Sequence, residues 1–262
     1  MQQTISPPVV LVIAGNDPSG GAGIAADIQA ITRLGAHPAP VIAALTVQDT
    51  VNAYAVESVD ADFVADQAGK VLDDLPVRAI KLGLLGSAAN GEAVAALLAR
   101  HPGIPVVVDP VLVAAGGAQL AEEELLAVYR ERILPLATLL TPNALELRRL
   151  APDLPDTRAR AFALLDRGAS WVLAKGGDEN TPAVENFLFN RDGERQAWKT
   201  ERLGGEHHGS GCTLAAGIAA QLARGEPVPR AIELAQRFTF SALANGWTLG
   251  RGQRIPNRHF PT

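Results

Sequence analysis

The segment His207-His208-Gly209-Ser210-Gly211-Cys212-Thr213-Leu214 carries the densest chemistry in this chain. Two of its glycines stand immediately before an Ala-rich run. That spacing predicts a helix start, with free backbone N–H groups from Gly209 to Cys212 gathered at the positive end of the helix dipole. Such an anion hole suits a phosphoryl group in flight, whose charge spreads over three oxygens. The same field is expected to favour thiolate at Cys212, because helix N-termini lower a cysteine pKa from about 8.5. The structural alternative is a buried cysteine whose glycines serve helix packing.

A second cluster runs from Ala14-Gly15-Asn16-Asp17-Pro18-Ser19-Gly20 to Gly23 and Asp27. It follows a strand-like run and opens a helix. Its glycines let backbone N–H groups approach an anion or a flat ring. It is neither a Walker P-loop nor a clean G-x-G-x-x-G. Asp27 is placed in the first turn of the helix, where a carboxylate also stabilises the macrodipole. Smaller polar clusters follow other strands. In Thr46-Val47-Gln48-Asp49-Thr50, the Gln48 amide both donates and accepts, as an aminopyrimidine edge requires, or it is one residue of a polar loop. In Lys81-Leu82-Gly83-Leu84-Leu85-Gly86, the glycines allow close approach, and Lys81 is expected to snorkel. Asp109-Pro110 ends a strand and points at a metal or phosphate region, or caps a turn. Asn143 and Glu146, three apart, share one helix face. They suit hydrated Mg²⁺, or they form a capping box. Lys175-Gly176-Gly177 after a strand suits a nucleotide phosphate.

The elements that must hold these residues read as alternating β and α. Strands are expected at Val9–Ile13, Val41–Leu45, Ile80–Leu82, Val106–Val108, Thr138–Leu140 and Trp171–Ala174. Helices are expected at 21–34, 61–75 with Asp60 as N-cap, 88–100, 122–133, 144–150, 157–166, 209–224 and 228–245. Asn186–Phe189 and Gln196–Glu201 flank Asp192-Gly193, which signals a hairpin. All-apolar strands alternating with helices mean a mostly parallel sheet covered on both faces. The expectation is α/β, a three-layer α/β/α sandwich plus a small late hairpin, as one domain over 1–262. Ligands of such sheets bind beyond the carboxyl ends of the strands, where the clusters above lie.

Composition narrows the class. The 262 residues are 47% hydrophobic and only 19% charged, which describes a core-rich chain. Aromatics are 5%, so the core must be aliphatic. The net charge of −5 argues against a nucleic-acid backbone binder. The single cysteine excludes an internal disulfide and a cysteine zinc cluster. No apolar run approaches the ~20 residues of a spanning helix. No basic residue precedes the first apolar run, so no signal peptide and no membrane partner are expected, and a cytoplasmic location is.

Taken in order, AGNDPSGGAGIAADI, ALTVQDT, KLGLLGS, DPVLVA, TPNALE, AKGG and HGSGCTLAAGIAA resemble the ribokinase-like superfamily. Within it they resemble the hydroxymethylpyrimidine and hydroxymethylpyrimidine-phosphate kinases of thiamine synthesis. Sugar kinases of that superfamily usually carry Asp where Cys212 stands. The resemblance implies ATP and Mg²⁺ as cofactors, a small pyrimidine as substrate, and a homodimer. It also implies roles. Asp27 and Gln48 would bond the aminopyrimidine, the Gly15 turn would lie beside it, and Leu84 would line the ring pocket. Asn143, Glu146 and Asp109 would organise Mg²⁺ through water, and Lys175 would lie near the nucleotide. Gly209, Ser210 and Gly211 would form the anion hole, and Cys212 would be the general base. The chain departs from the family at Leu84, often Met, and at Ala25, often Gln. It departs again at Ala115-Gly116-Gly117-Ala118, where a polar residue and Ser-Gly-Asp are usual.

A nucleotide-binding regulator without catalysis is opposed by the intact Gly-Ser-Gly-Cys and Asn-x-x-Glu, and two further rivals stand beside it. One is a pyridoxal kinase of the same superfamily. The other is a cysteine hydrolase with His207 or His208 activating Cys212, for which no partner Asn or Asp is evident.

Overall fold

The computed structural model describes residues 6–112 and 123–260. The altered flap at 115–118 lies outside the described residues. A nine-stranded sheet runs through the chain in the order β3-β2-β1-β4-β5-β6-β7-β8-β9. These strands are β1 Val9–Asn16, β2 His37–Gln48, β3 Ala53–Ser58, β4 Val77–Leu82, β5 Val106–Val108, β6 Leu139–Leu140, β7 Trp171–Ala174, β8 Ala183–Asn190 and β9 Gly193–Glu201. The six strands from β2 across to β7 are parallel; β3, β8 and β9 pair antiparallel to their neighbours.

Chain order explains where a site must form. After β1 the chain moves outward to β2 and β3, then returns to lay β4 on the other side of β1. The β1–β4 boundary is therefore the switch point, and ligands of such sheets bind beyond the carboxyl ends of the strands there. β1 is buried almost throughout, as its unbroken aliphatic run requires.

Helices α1 Gly23–Arg33, α7 Ser210–Ala223 and α8 Val228–Ala244 cover one face, with Ile24, Ile31, Leu214, Ile218 and Ile232 packed on Val10, Val12 and Val107. Helices α2 Ala61–Asp74, α3 Ala88–Ala99, α4 Glu123–Val128, α5 Ala144–Leu150 and α6 Thr157–Asp166 cover the other. Asp60 caps α2 by accepting from the Phe63 N–H at 3.0 Å. The three-layer α/β/α arrangement and the late hairpin match the reading of the sequence.

Several boundaries differ. β1 extends to Asn16, so Gly15 ends a strand and the turn starts at Asp17. β2 contains Thr46, Val47 and Gln48, which the periodicity assigns to a polar loop. β3 has no counterpart in the sequence reading; it is a mostly exposed edge, where alternation is weak. The hairpin is continuous with the central sheet, because β8 pairs β7. The helix after β5 passes at Tyr129 into a π-helical stretch and then a 3₁₀ turn.

Candidate active site

The glycine-rich loops are built so that backbone can meet backbone. Gly209 is the N-cap of α7 and has φ +72°, in the left-handed region. A Cβ there would lie 2.0 Å from the Gly21 carbonyl oxygen, so the loop before α1 and the loop before α7 touch at this point. The first intrahelical bond of α7 runs from Thr213 N–H to Gly209 O at 2.9 Å. The N–H groups of Ser210, Gly211 and Cys212 therefore have no partner within the helix, as an anion hole requires. Gly211 faces a charged pair: a Cβ on it would lie 3.1 Å from Lys175 Nζ and 3.8 Å from Asp109 Oδ2.

That pair is close, with Asp109 buried and Lys175 partly so. Lys175 Nζ donates to Asp109 Oδ1 at 2.9 Å, and Thr141 Oγ1 donates to the same oxygen at 3.3 Å. Burial alone would raise Asp109, but Lys175 and Lys81 hold its carboxyl below the usual range. Burial would likewise lower Lys175, but Asp109 and Glu146 hold it above its usual value. Asn143 and Glu146 form the capping box of α5: Glu146 N–H donates to Asn143 Oδ1, and Asn143 N–H to Glu146 Oε2, each at 2.8 Å. Asp178 adds a second acceptor for this helix end, taking the Ala144 N–H at 3.2 Å. Burial, with Asp109 nearby and against the pull of Lys175, pushes Glu146 up to about 7.

A second group of these residues lies at the switch point. A Cβ on Gly15 would come within 2.9 Å of Leu84 Cδ2, so strand end and loop touch. Asn90, buried at the start of α3, steadies this loop by donating to Ala43 O and Leu85 O. Gln48 meets His208, with Nε2 to Nε2 at 3.0 Å. Asp17 accepts from Ser19 N–H and Ala22 N–H, both at 2.8 Å, and binds His208 Nε2 at 2.8 Å. Burial would raise Asp17; the bonds from His208 and Ser19 hold it below its usual range.

Three expectations are corrected. Asp27 is not in the first turn: α1 starts at Gly23, and no acidic residue lies in its first turn. It is completely buried and ion-paired, with Lys81 Nζ 2.7 Å from Oδ2, while Oδ1 is buried without a partner. Lys81 does not snorkel; it has no exposure at all. Burial would push Lys81 down, but Asp27, Cys212 and Asp109 hold its ammonium above the usual range. Nor is Cys212 thiolate-favouring. It receives the Gly23 N–H and feels Lys81, but burial, followed by Asp109 and Asp27, outweighs both and pushes the thiol up to about 11. The helix field is a fraction of a charge, whereas loss of water around the thiol and the negative charge of two carboxylates both oppose a thiolate. Iodoacetamide at pH 8 is therefore expected to alkylate Cys212 roughly a hundredfold more slowly than an ordinary exposed thiol, with the rate still climbing above pH 10. A plateau near pH 8 would contradict that protonation state.

Sequence reasoning missed Asp17 as an organiser, although Asp17-Pro18-Ser19-Gly20 carries an Asx-turn signature. It also missed Asp17 as the partner of His208, a contact 191 residues apart. His208 turns toward Gln48 and Gly21, away from the role a cysteine hydrolase would need. Among the described residues there is no group of three His, Cys, Asp or Glu that could cage a metal. Nor is any described helix long and apolar enough to cross a membrane.

Free helix N–H groups facing a Lys–Asp pair, close to the switch point, suit phosphoryl transfer. The fold agrees. A pyridoxal kinase of Bacillus subtilis, solved as an ADP complex, matches with a TM-score of 0.87 and 27% identity over 97% of this chain and 98% of that one. The chain is a phosphotransferase with the ribokinase-like architecture. The family model described as phosphomethylpyrimidine kinase matches residues 17–257. A hydroxymethylpyrimidine/phosphomethylpyrimidine kinase of Streptomyces coelicolor is 39% identical over 254 residues, 95% of this chain and 93% of that protein. A thiamine biosynthesis bifunctional protein of Geobacter sulfurreducens is 40% identical over 247 residues, and the chain spans about half of its length. The chain belongs to the phosphomethylpyrimidine kinase family.

Proposed function

We propose that this chain, read as one kinase domain, phosphorylates the hydroxymethyl group of 4-amino-5-hydroxymethyl-2-methylpyrimidine. In a second transfer it phosphorylates the resulting monophosphate to the diphosphate of thiamine biosynthesis. The observation that carries this reading is the anion hole of Gly209, Ser210 and Gly211 standing against Lys175 while Gly15 and Leu84 meet beside it. Gln48 offers an amide to the aminopyrimidine edge, Leu84 an apolar wall, and Asp27 its unpartnered Oδ1.

The donor side fits ATP with Mg²⁺. Two carboxylates, Asp109 and Glu146, influence the same lysine, Lys175. Mg²⁺ keeps several waters and binds through one or two carboxylates plus substrate phosphates, so these two carboxylates suit it. Bound there, magnesium–ATP supplies the phosphoryl group and part of its charge screening. Lys175 and the α7 amides then stabilise charge on the transferring oxygens. Asn143 fixes Glu146 through the capping box.

Cys212 occupies the place of the base for the alcohol. At rest it is a thiol; the base role belongs to its minor thiolate form, which takes the alcohol proton as the new P–O bond forms. The first acceptor is an alcohol that must lose a proton, whereas the second is already a phosphate. Cys212→Ala is therefore expected to slow the first phosphorylation more than the second, measured as separate rates. Equal losses would remove the base assignment. A cytoplasmic homodimer completes the reading; exposed Leu45 and Val47, at 48% and 62%, share one face of β2 and support burial against a second copy.

The deciding experiment follows ATP turnover with the pyrimidine, with pyridoxal and with no acceptor. Pyrimidine-dependent turnover is expected. Turnover with pyridoxal alone would replace this reading with the other vitamin kinase, and turnover with neither would remove both.

A further inference from the structure

Arg258 is the largest fully buried side chain among the described residues, and it comes from the irregular segment after α8. Its direct partners are all neutral. Nε donates to Thr213 Oγ1 at 2.9 Å, Nη1 to Gln29 Oε1 at 3.3 Å, and Nη2 to the Gly21 carbonyl. Burying a cation against neutral acceptors alone is costly, and such an arrangement calls for a reason. The partners suggest one. Thr213 Oγ1, having accepted from Arg258, donates to Gly209 O at 2.7 Å. Gly21, held by the other arm, is the residue whose carbonyl packs on Gly209 Cα. The guanidinium thus reaches the left-handed Gly209 by two routes, through the hydroxyl and through the opposing loop.

The terminal segment is itself anchored to the start of the same loop. His208 N–H donates to Arg254 O at 2.9 Å, Arg254 N–H to Glu206 O at 2.9 Å, and Asn257 N–H to Ala242 O at 3.0 Å. Cys212, Asp27 and Asp17 are the titratable groups that act on Arg258. We infer that Arg258 is a positioning residue for the phosphoryl-transfer step: through Thr213 and Gly21 it sets the aim of the Gly209–Cys212 amides. This rests on the kinase reading for its effect on rate, and on the geometry alone for its effect on the loop.

Two variants separate brace from charge. Arg258→Lys keeps the positive charge but cannot span Thr213 and Gly21 together. Thr213→Val removes the hydroxyl link and leaves Arg258 in place. Both are expected to lower kcat about a hundredfold, the scale seen when an oxyanion donor is lost, with the KM for the pyrimidine changed less than threefold. The double variant should cost little more than either single one, and Thr213→Ser should restore the rate. Cys212 is the only cysteine, so its iodoacetamide labelling reads this loop without reference to activity. Labelling should speed up roughly tenfold in Thr213→Val and Arg258→Lys, and stay at the wild-type rate in Thr213→Ser. If wild type turns over no pyrimidine, the kinase reading fails while the labelling still reports on the brace. Wild-type labelling in folded Thr213→Val would overturn the proposal. So would full activity in Arg258→Lys, because charge alone would then suffice. Should Arg258→Lys fail to fold, the Thr213 pair decides.

Discussion

Gly209→Ala is expected to lower kcat by about 10²–10³-fold and to cost the fold at least about 1–2 kcal/mol. The backbone cost arises because Gly209 has φ +72°, where an L side chain meets its own carbonyl. A second cost comes from space, since the new Cβ would lie 2.0 Å from Gly21 O and 2.9 Å from Ala22 Cα. Both neighbours are backbone, so relief requires the two loops to part. The Ser210, Gly211 and Cys212 amides then lose their aim at the transferring group. The rate should fall more than the KM for either substrate, because the misplaced groups act on charge that develops in the transition state. Steady-state kinetics and thermal unfolding on the same preparation check both halves. Wild-type kcat in a destabilised but folded variant would show that these amides do not hold the phosphoryl group.

Asp27→Ala carries the second large effect, and the structure changes what it tests. Lys81 Nζ, 2.7 Å away and without exposure, would become an uncompensated buried charge. The expected loss is about 3–5 kcal/mol, which lowers Tm by on the order of ten degrees in a chain of this size. Replacing both members with apolar residues, Asp27→Leu with Lys81→Met, should recover most of that loss, since a well-packed apolar pair avoids the desolvation of two ions. The double variant then isolates recognition from stability. If Asp27 Oδ1 serves the pyrimidine, its KM rises there while that for ATP stays nearly unchanged. Equal changes in both would make the pair purely structural. A single Asp27→Ala measured only by activity would mix the two effects.

Much of the site was legible because its signals are local. The glycines at 209 and 211 before an Ala-rich run mark a helix start, and the structure places that start at Ser210. Asn143 and Glu146 at i and i+3 announce a capping box, which is present in full. Helices 144–150 and 157–166 and strands 106–108 and 171–174 fall where periodicity and punctuation place them. Less legible were the ends of β1 and β2, where apolar character fades into polar residues while hydrogen bonding continues. β3 was invisible because it is an edge strand, with Tyr54 and Ala55 exposed and little alternation.

The protonation of the site was not legible at all. A cysteine at a helix N-terminus reads as acidic from sequence, yet Cys212 is pushed up to about 11 by burial and by Asp109 and Asp27. Lys81 reads as a snorkelling stem, yet it closes an ion pair with a residue 54 positions earlier. Arg258 gave no signal, because its partners at 21, 29 and 213 lie far from it in the chain.

The sequence by itself therefore determined the succession of strands and helices apart from β3, the aliphatic core, the glycine turns and the family. All of these follow from residue type and spacing within a few turns of chain. The tertiary structure alone decided which charges meet, which are buried, and how the two glycine loops brace each other. Those outcomes depend on the switch point at β1 and β4 and on a terminal segment that returns to the first loop. Desolvation and Coulomb energies are set by distance in space, which spacing along the chain does not encode.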